Sequence, residues 1–387
     1  MGYVHRLLSA ELGRAARHFP VVILTGPRRA GKTTLLRHAF PRAAYHLLED
    51  PDVTARVRSD PRAFLDEAGS PAILDEVQNV PELFNYVRSR VDRSGGRACR
   101  WFLTGSQETG LMKGVTESMA GRAAVLELLP FSSPEDARVS VVHGGYPEPL
   151  ARPAAADLWF RSYLQTYLER DVRAVSSIRD LVTFRRFMAI LASRAGQVLN
   201  RTAIASPLGV SIPTVSEWIG ILETTMQIIL VPPFYENLGK RLVKSPKVYF
   251  TDSGLLCHLL GIRSESALLA SPFAGPVFEG FVASEIVKAQ VNAGRRREVY
   301  FFRDRQGLEV DFLVPGAGRR LVLLEAKASR TVRPEAAAAM GKLARSLAPR
   351  EVRPFVVHWP SAGGPAMATL APGVSAIGFR SLAAAVL

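Results

Sequence analysis

The chain has 387 residues, too many for one ordinary hydrophobic core, so two or three domains are expected. Hydrophobic residues at 48% and charged residues at 22% exclude an intrinsically disordered chain. The formal net charge of +14 favours polyanionic partners, DNA before an anionic membrane surface. The two cysteines, Cys99 and Cys257, form neither a metal-type spacing nor a disulfide framework, which fits a reducing cytoplasm. The first twenty residues intersperse charges among apolar positions, unlike a signal peptide. No run approaches the roughly 18 apolar residues that would span a bilayer. A cytoplasmic protein without a membrane partner is therefore expected.

In chain order, 21–25, 72–74 and 101–104 are short apolar runs, each followed by polar or glycine punctuation. They predict buried strands of a parallel sheet, with helices supplied by "RVRSDPRAFLDEA" and "VPELFNYVRSRVDRSG". Behind the first run stands "GPRRAGKTT", in which Gly26, Gly31, Lys32 and Thr33 match G-x-x-x-x-G-K-[ST]. Such a loop turns its backbone N–H groups toward phosphates, its lysine neutralises charge, and its Thr hydroxyl can ligate Mg²⁺. The cradle would comprise Gly26, Pro27, Arg28, Arg29, Ala30, Gly31, Lys32, Thr33 and Thr34. Because backbone and Lys32 do this work, the Arg28 and Arg29 side chains are not expected to be phosphate ligands.

The second run ends in Asp75, a candidate Mg²⁺ holder through water, and Glu76, a candidate general base for the attacking water. The third leads to Ser106 and Gln107, where a polar side chain would sense the γ-phosphate. Arg122 in "MAGR" is a candidate arginine finger, in cis or across a subunit boundary, with an ordinary surface arginine as the alternative. Together, Gly26–Thr34, "ILDEVQNVPELF" and "LTGS" resemble the AAA-type P-loop ATPases of bacteria and archaea that carry a C-terminal domain of unknown function. The "YLERDV" segment, Tyr167 to Val172, is similar as well. The resemblance spans nearly the whole chain and implies ATP and Mg²⁺ as ligands, without implying a substrate.

A mainly helical region is expected over about 155–230. In it Leu158, Phe160, Tyr163, Leu164, Tyr167 and Leu168 recur at helical intervals. "LNRTAIASPLGVSIPTVSEWIGILETT" has a helix-turn-helix rhythm: Thr202–Leu208, a turn at Gly209, and a recognition-type helix Thr214–Glu223 after Pro213. A β-wing with Lys240, Arg241, Lys244 and Lys247 would follow and could touch DNA phosphates. A winged helix that only packs between domains is the alternative, and the absence of Arg and Lys from the recognition-type helix argues against base readout.

Beyond 275, "VFEGFVASEIVKAQVNAG" predicts a helix and "EVYFFRDRQGLEVDFLVPGAGRRLVLLEAKAS" predicts three strands; the tail from about 360 promises little structure. Asp311 lies in one strand, and alternation puts Glu325 and Lys327 on one face of the next. Two carboxylates could chelate Mg²⁺ while the lysine positions a water, with Glu279 completing the site. This pattern resembles the PD-(D/E)XK nuclease fold of restriction enzymes and Holliday-junction resolvases. A Glu325–Lys327 salt bridge, or a nuclease-like fold kept only for binding, are the alternatives.

The expected fold is thus α/β. A P-loop NTPase domain with a parallel sheet (1–150) precedes a helical and winged-helix region (151–265) and a C-terminal α/β nuclease-like domain (266–387). The expected function is Mg²⁺-dependent ATP hydrolysis coupled to the C-terminal module. An ATP-gated DNA nuclease and a non-enzymatic nucleotide-dependent binding switch are the other readings. A homo-oligomer, a protein partner and a monomer are all compatible with the sequence.

Overall fold

The computed structural model describes residues 2–94, 99–105, 119–167, 180–234, 245–316, 318, 320–360 and 365–387. Its N-terminal part is a five-stranded sheet of β1 (Val21–Thr25), β2 (Ala44–Leu47), β3 (Ala72–Asp75), β4 (Trp101–Thr104) and β5 (Ala123–Glu127). The strands run parallel throughout in the order β2-β3-β4-β1-β5. Both faces are covered. Val21, Ile23, Leu74 and Leu103 enter one core, whereas Val22, Leu24, Ile73 and Phe102 enter another. That two-sided burial explains why β1, β3 and β4 read as unbroken apolar runs.

The helical segment expected across "RVRSDPRAFLDEA" is two helices, Pro51–Ser59 and Pro61–Glu67. Asp60 separates them: its carboxylate accepts from the N–H groups of Arg62 and Ala63, and Pro61 occupies the first helical position, where no N–H is needed.

The middle of the chain is helical, as expected, with helices Ala156–Tyr167, Leu181–Ser193, Arg201–Leu208 and Ile212–Thr224. Phe160, Tyr163 and Tyr167 are buried, but Leu158 is 59% exposed, and Leu168 and most of "YLERDV" lie outside the described residues. The helices Arg201–Leu208 and Ile212–Thr224 are joined by a short turn. Asn200 caps the first helix, Gly209 ends it at φ 65°, and Ser211 caps the second through the Thr214 N–H. The hairpin β6 (Ile228–Val231) and β7 (Lys247–Phe250) follows.

The C-terminal part is a mixed six-stranded sheet of β8 (Tyr300–Arg303), β9 (Glu309–Pro315), β10 (Leu321–Lys327), β11 (Val352–His358), β12 (Met367–Ala371) and β13 (Val374–Gly378). Its order is β12-β13-β11-β10-β9-β8. The tail therefore contributes more than expected, namely two strands and the helix Leu382–Val386. The long helix Ala274–Asn292 packs on β7 and β10 and is buried along most of its second half. One core runs from Phe160 and Trp218 in the middle region through Phe278 and Phe281 to Phe312 and Leu324. No described helix is long and apolar enough to cross a membrane.

Candidate nucleotide site and a lysine-filled carboxylate cluster

The turn after β1 opens a cleft of about 1020 Å³. Its walls include Arg28 to Thr34, Tyr45, Asp75 and Glu76. Gly26 adopts φ 149° with its α-carbon against the Leu128 carbonyl; a Cβ there would lie 2.1 Å from that oxygen. Gly31, at φ 95°, starts the helix Lys32–Ala39. Only glycine tolerates both requirements, close backbone approach and positive φ. Lys32 is 6% exposed, and its ammonium donates to the Gly26 and Pro27 carbonyls at 2.9 and 3.1 Å. The loop is thus folded around its own lysine.

The Thr33 hydroxyl donates to Asp75 Oδ2 at 2.7 Å, and the Tyr45 hydroxyl donates to the same oxygen at 2.8 Å. Asp75 is buried, and burial pushes its carboxyl pKa above the ordinary 3.8, with the two hydroxyls pulling the other way. Burial and the Asp75 contact also push the Tyr45 phenol up, so it stays a donor. Glu76 follows in the left-handed region, φ 57° and ψ 47°. Its carboxylate accepts from Gln78 Nε2, and its carbonyl accepts from Asn79 Nδ2 at 3.0 Å. A non-glycine residue held there is strained, and such strain gathers at functional positions. Arg29, at φ 62°, is a second case in the same cleft.

Thr33 and Asp75 therefore form a converging pair of oxygen donors at the cleft, the type of set a hard, largely hydrated cation such as Mg²⁺ takes. Arg122 is not brought to the cleft. Its guanidinium is clamped by both Asp92 carboxylate oxygens at 2.6 and 3.1 Å, which holds the Asp92 carboxyl below its usual range. Within this chain Arg122 forms a surface ion pair with Asp92, and an arginine-finger role, in cis or across a subunit boundary, stays a proposal. Ser106 and Gln107 lie outside the described residues.

Arg6 carries no pattern in the sequence that marks it as part of the site. Its guanidinium is 3% exposed and donates to Ala30 O (2.9 Å), Leu129 O (2.6 Å) and Glu135 (3.0 Å) while lying over the Phe131 ring. It ties the phosphate loop to the segment after β5. A lone arginine in an N-terminal stretch has no periodicity that would have revealed it. Tyr3, nearby, stacks on His38 at the rim of the cleft.

In the C-terminal part, Glu279, Asp311, Glu325 and Lys327 do meet. Lys327 donates to Glu325 at 2.7 Å, and the Ala326 N–H donates to Asp311 at 2.9 Å. The centre of the group is occupied by Lys247, at 2.9 Å from Glu279, 2.8 Å from Glu309 and 3.9 Å from Asp311. The Tyr249 hydroxyl also donates to Glu279. Burial alone would lower the Lys247 pKa; Glu279, Asp311 and Glu309 outweigh it and keep the ammonium charged. Burial, together with Glu279 and Glu325, pushes the Asp311 carboxyl well up.

Lys247 was expected on an exposed wing against phosphates; it is instead 4% exposed and spent on carboxylates. Lys240, Arg241 and Lys244 lie outside the described residues. Among the described residues no group of three or more His, Cys, Asp or Glu is arranged to hold a metal. The recognition-type helix buries Val215, Trp218, Ile219, Ile221 and Leu222 and leaves Glu217 and Glu223 outward, acids that repel phosphate.

Three family models match the chain in succession: an AAA domain over residues 18–136, a domain of unknown function (DUF8612) over 134–266, and a second (DUF4143) over 274–361. The chain is 33% identical over 320 residues to Uncharacterized protein Rv2008c of Mycobacterium tuberculosis, covering 80% of this chain and 71% of the relative. Mb2031c of Mycobacterium bovis matches with the same values. Among solved structures, the Walker-type ATPase paby2304 of Pyrococcus abyssi aligns at 15% identity and a TM-score of 0.42, over 65% of this chain and 94% of that one. The RuvB Holliday junction branch migration motor of Thermotoga maritima aligns at 16% and 0.29, over 58% and 89%. The phosphate loop, Asp75 and Glu76 fall within the AAA match, and the carboxylate cluster falls mainly within the second domain of unknown function. The chain thus belongs to the same family as these mycobacterial proteins, with an AAA-type P-loop ATPase domain followed by two domains of unknown function.

Proposed function

We propose that the protein binds MgATP in the cleft at the ends of β1 and β3 and hydrolyses it. The observation that carries this reading is the Thr33–Asp75 hydrogen bond: two oxygen donors 42 positions apart meet beside a buried lysine and a strained glutamate. Lys32, held by the Gly26 and Pro27 carbonyls, is the charge that draws the phosphates. Thr33 and Asp75 are the residues that would hold Mg²⁺. The bound ion would neutralise negative charge on the terminal phosphates. Glu76, oriented by Gln78, takes the proton of the attacking water. The Lys32→Ala protein is expected to lose binding of a fluorescent ATP analogue. Unchanged affinity would place the nucleotide elsewhere.

A second reading is DNA cleavage at the C-terminal cluster, favoured by the meeting of Glu279, Asp311, Glu325 and Lys327 and opposed by Lys247 at its centre. It predicts nicking of plasmid, single-stranded or branched DNA with Mg²⁺ or Mn²⁺, ATP-dependent and lost in Asp311→Ala. Absence of cleavage, or equal cleavage by the variant, removes it. A third reading, a nucleotide-dependent binding switch, would show tight ATP binding with negligible turnover.

A further inference from the structure

The phosphate loop does not stand alone. Gly26 rests on the Leu128 carbonyl, and Leu128 N–H donates back to Thr25 O at 2.8 Å. From there residues 128–135 run as a strut between the nucleotide cleft and the C-terminal helix Ala274–Asn292. On the cleft side, Arg6 joins Ala30 of the loop to Leu129 and Glu135. Glu135 also accepts from the Leu7 N–H at 2.9 Å and from the Ser132 N–H and hydroxyl at 2.8 and 2.9 Å.

On the far side, Ser133 donates twice to Glu285 Oε2, by N–H and by hydroxyl, both at 2.7 Å. Lys288 donates to the Phe131 carbonyl at 3.0 Å and to Glu285 at 3.2 Å. Glu285 is 4% exposed and Lys288 2%. Phe131 belongs to both sides: its ring carries Arg6 and lines the cleft, while its carbonyl is held by Lys288.

Two buried ion pairs are thus placed on opposite sides of one short segment. Such pairs contribute little net stability over apolar packing, and their best-attested use is to fix one arrangement among alternatives. Nucleotide in the cleft would contact Lys32, which is bonded to Gly26 and Pro27, and the same loop is bonded through Ala30 to Arg6. Any shift of the loop on nucleotide binding would be passed to residues 128–135 through the Arg6 bonds to Ala30 and Leu129 and the Gly26–Leu128 contact.

We propose that residues 128–135, with Arg6, couple nucleotide occupancy of the cleft to the seating of the Ala274–Asn292 helix, with Glu285 and Lys288 as positioning residues. The proposal rests on the nucleotide reading above. Coupling is reciprocal, so a change at the helix must appear as a change in nucleotide affinity.

The test uses the full chain and Mg²⁺ with a non-hydrolysable ATP analogue. The double variant Glu285→Gln/Lys288→Met replaces the pair by neutral groups of similar shape. Its dissociation constant is expected to differ at least about five-fold from that of the unaltered protein. In the unaltered protein, nucleotide is expected to change hydrogen exchange over residues 281–292, and in the variant this response is lost. Ser133→Ala, a milder change, is expected to shift affinity in the same direction and stands in if the double variant does not fold. An unaltered protein that binds nucleotide, with unchanged affinity in the variants and no exchange response in the helix, overturns the coupling alone. An unaltered protein that binds no nucleotide overturns the site and the coupling together.

Discussion

Asp75 is the residue on which the chemistry of the cleft turns. Its pKa is raised by burial and lowered by the Thr33 and Tyr45 hydroxyls. A raised pKa means that a proton competes with the cation at a higher pH than it would at an exposed aspartate. The acid limb of Mg²⁺-dependent turnover should therefore lie above the ordinary 3.8. Tyr45→Phe removes one hydrogen bond that favours the carboxylate, so the limb should move further up. A pH profile that stays put or moves down would contradict this. Gly26 gives a sharper steric prediction. Gly26→Ala puts a methyl group 2.1 Å from the Leu128 carbonyl, so the loop must shift, and both nucleotide binding and melting temperature should fall. Gly26, Lys32, Thr33, Asp75 and Glu76 were legible in the sequence because their spacing follows apolar runs. Arg6 and Lys247 were not, because an isolated basic residue reads as solvated surface until its buried partners are seen.

At the scale of elements, the strands of the N-terminal sheet read correctly from sequence are the three covered on both faces. β2 and β5 escaped because they are the two edges of the sheet, and their residues are mostly half-buried. β12, another edge, is exposed over its first three residues and hid in a small-residue tail in the same way. The β6–β7 hairpin carries the clearest energetic prediction. Lys247 leaves β7 to join carboxylates on the Ala274–Asn292 helix and on β9. Lys247→Met would leave Glu279 and Glu309 without their shared cation and should destabilise the protein by about 3–5 kcal/mol. Asp311→Asn should be tolerated. With a raised folded-state pKa, Asp311 contributes stability that is complete below its unfolded pKa and is lost as pH rises through the folded one. The Asn variant lacks that titration, so its advantage over the unaltered protein should grow with pH. Urea unfolding at several pH values measures both effects.

At the scale of the whole molecule, an AAA-type domain is joined to two further domains that share one continuous core. The net charge of +14 suits a polyanionic surface, whereas the helix expected to read DNA turns Glu217 and Glu223 outward. Any association with duplex DNA should therefore be sequence-independent and weaken steeply between about 50 and 200 mM salt. A sequence-selective complex insensitive to salt would contradict that. The sequence foretold three parts in the right order; it could not show that residues 128–135 lie between them, because that segment acts through backbone carbonyls and partners more than 100 positions away.

Hydrolysis of MgATP with Glu76 as the base is the proposed chemistry of the cleft. It is tested most directly by measuring ATP binding and steady-state turnover in the unaltered protein and in Glu76→Gln. Near-equal affinity is expected, with turnover in the variant lower by about 10²-fold or more. Turnover by Glu76→Gln at the rate of the unaltered protein would contradict it.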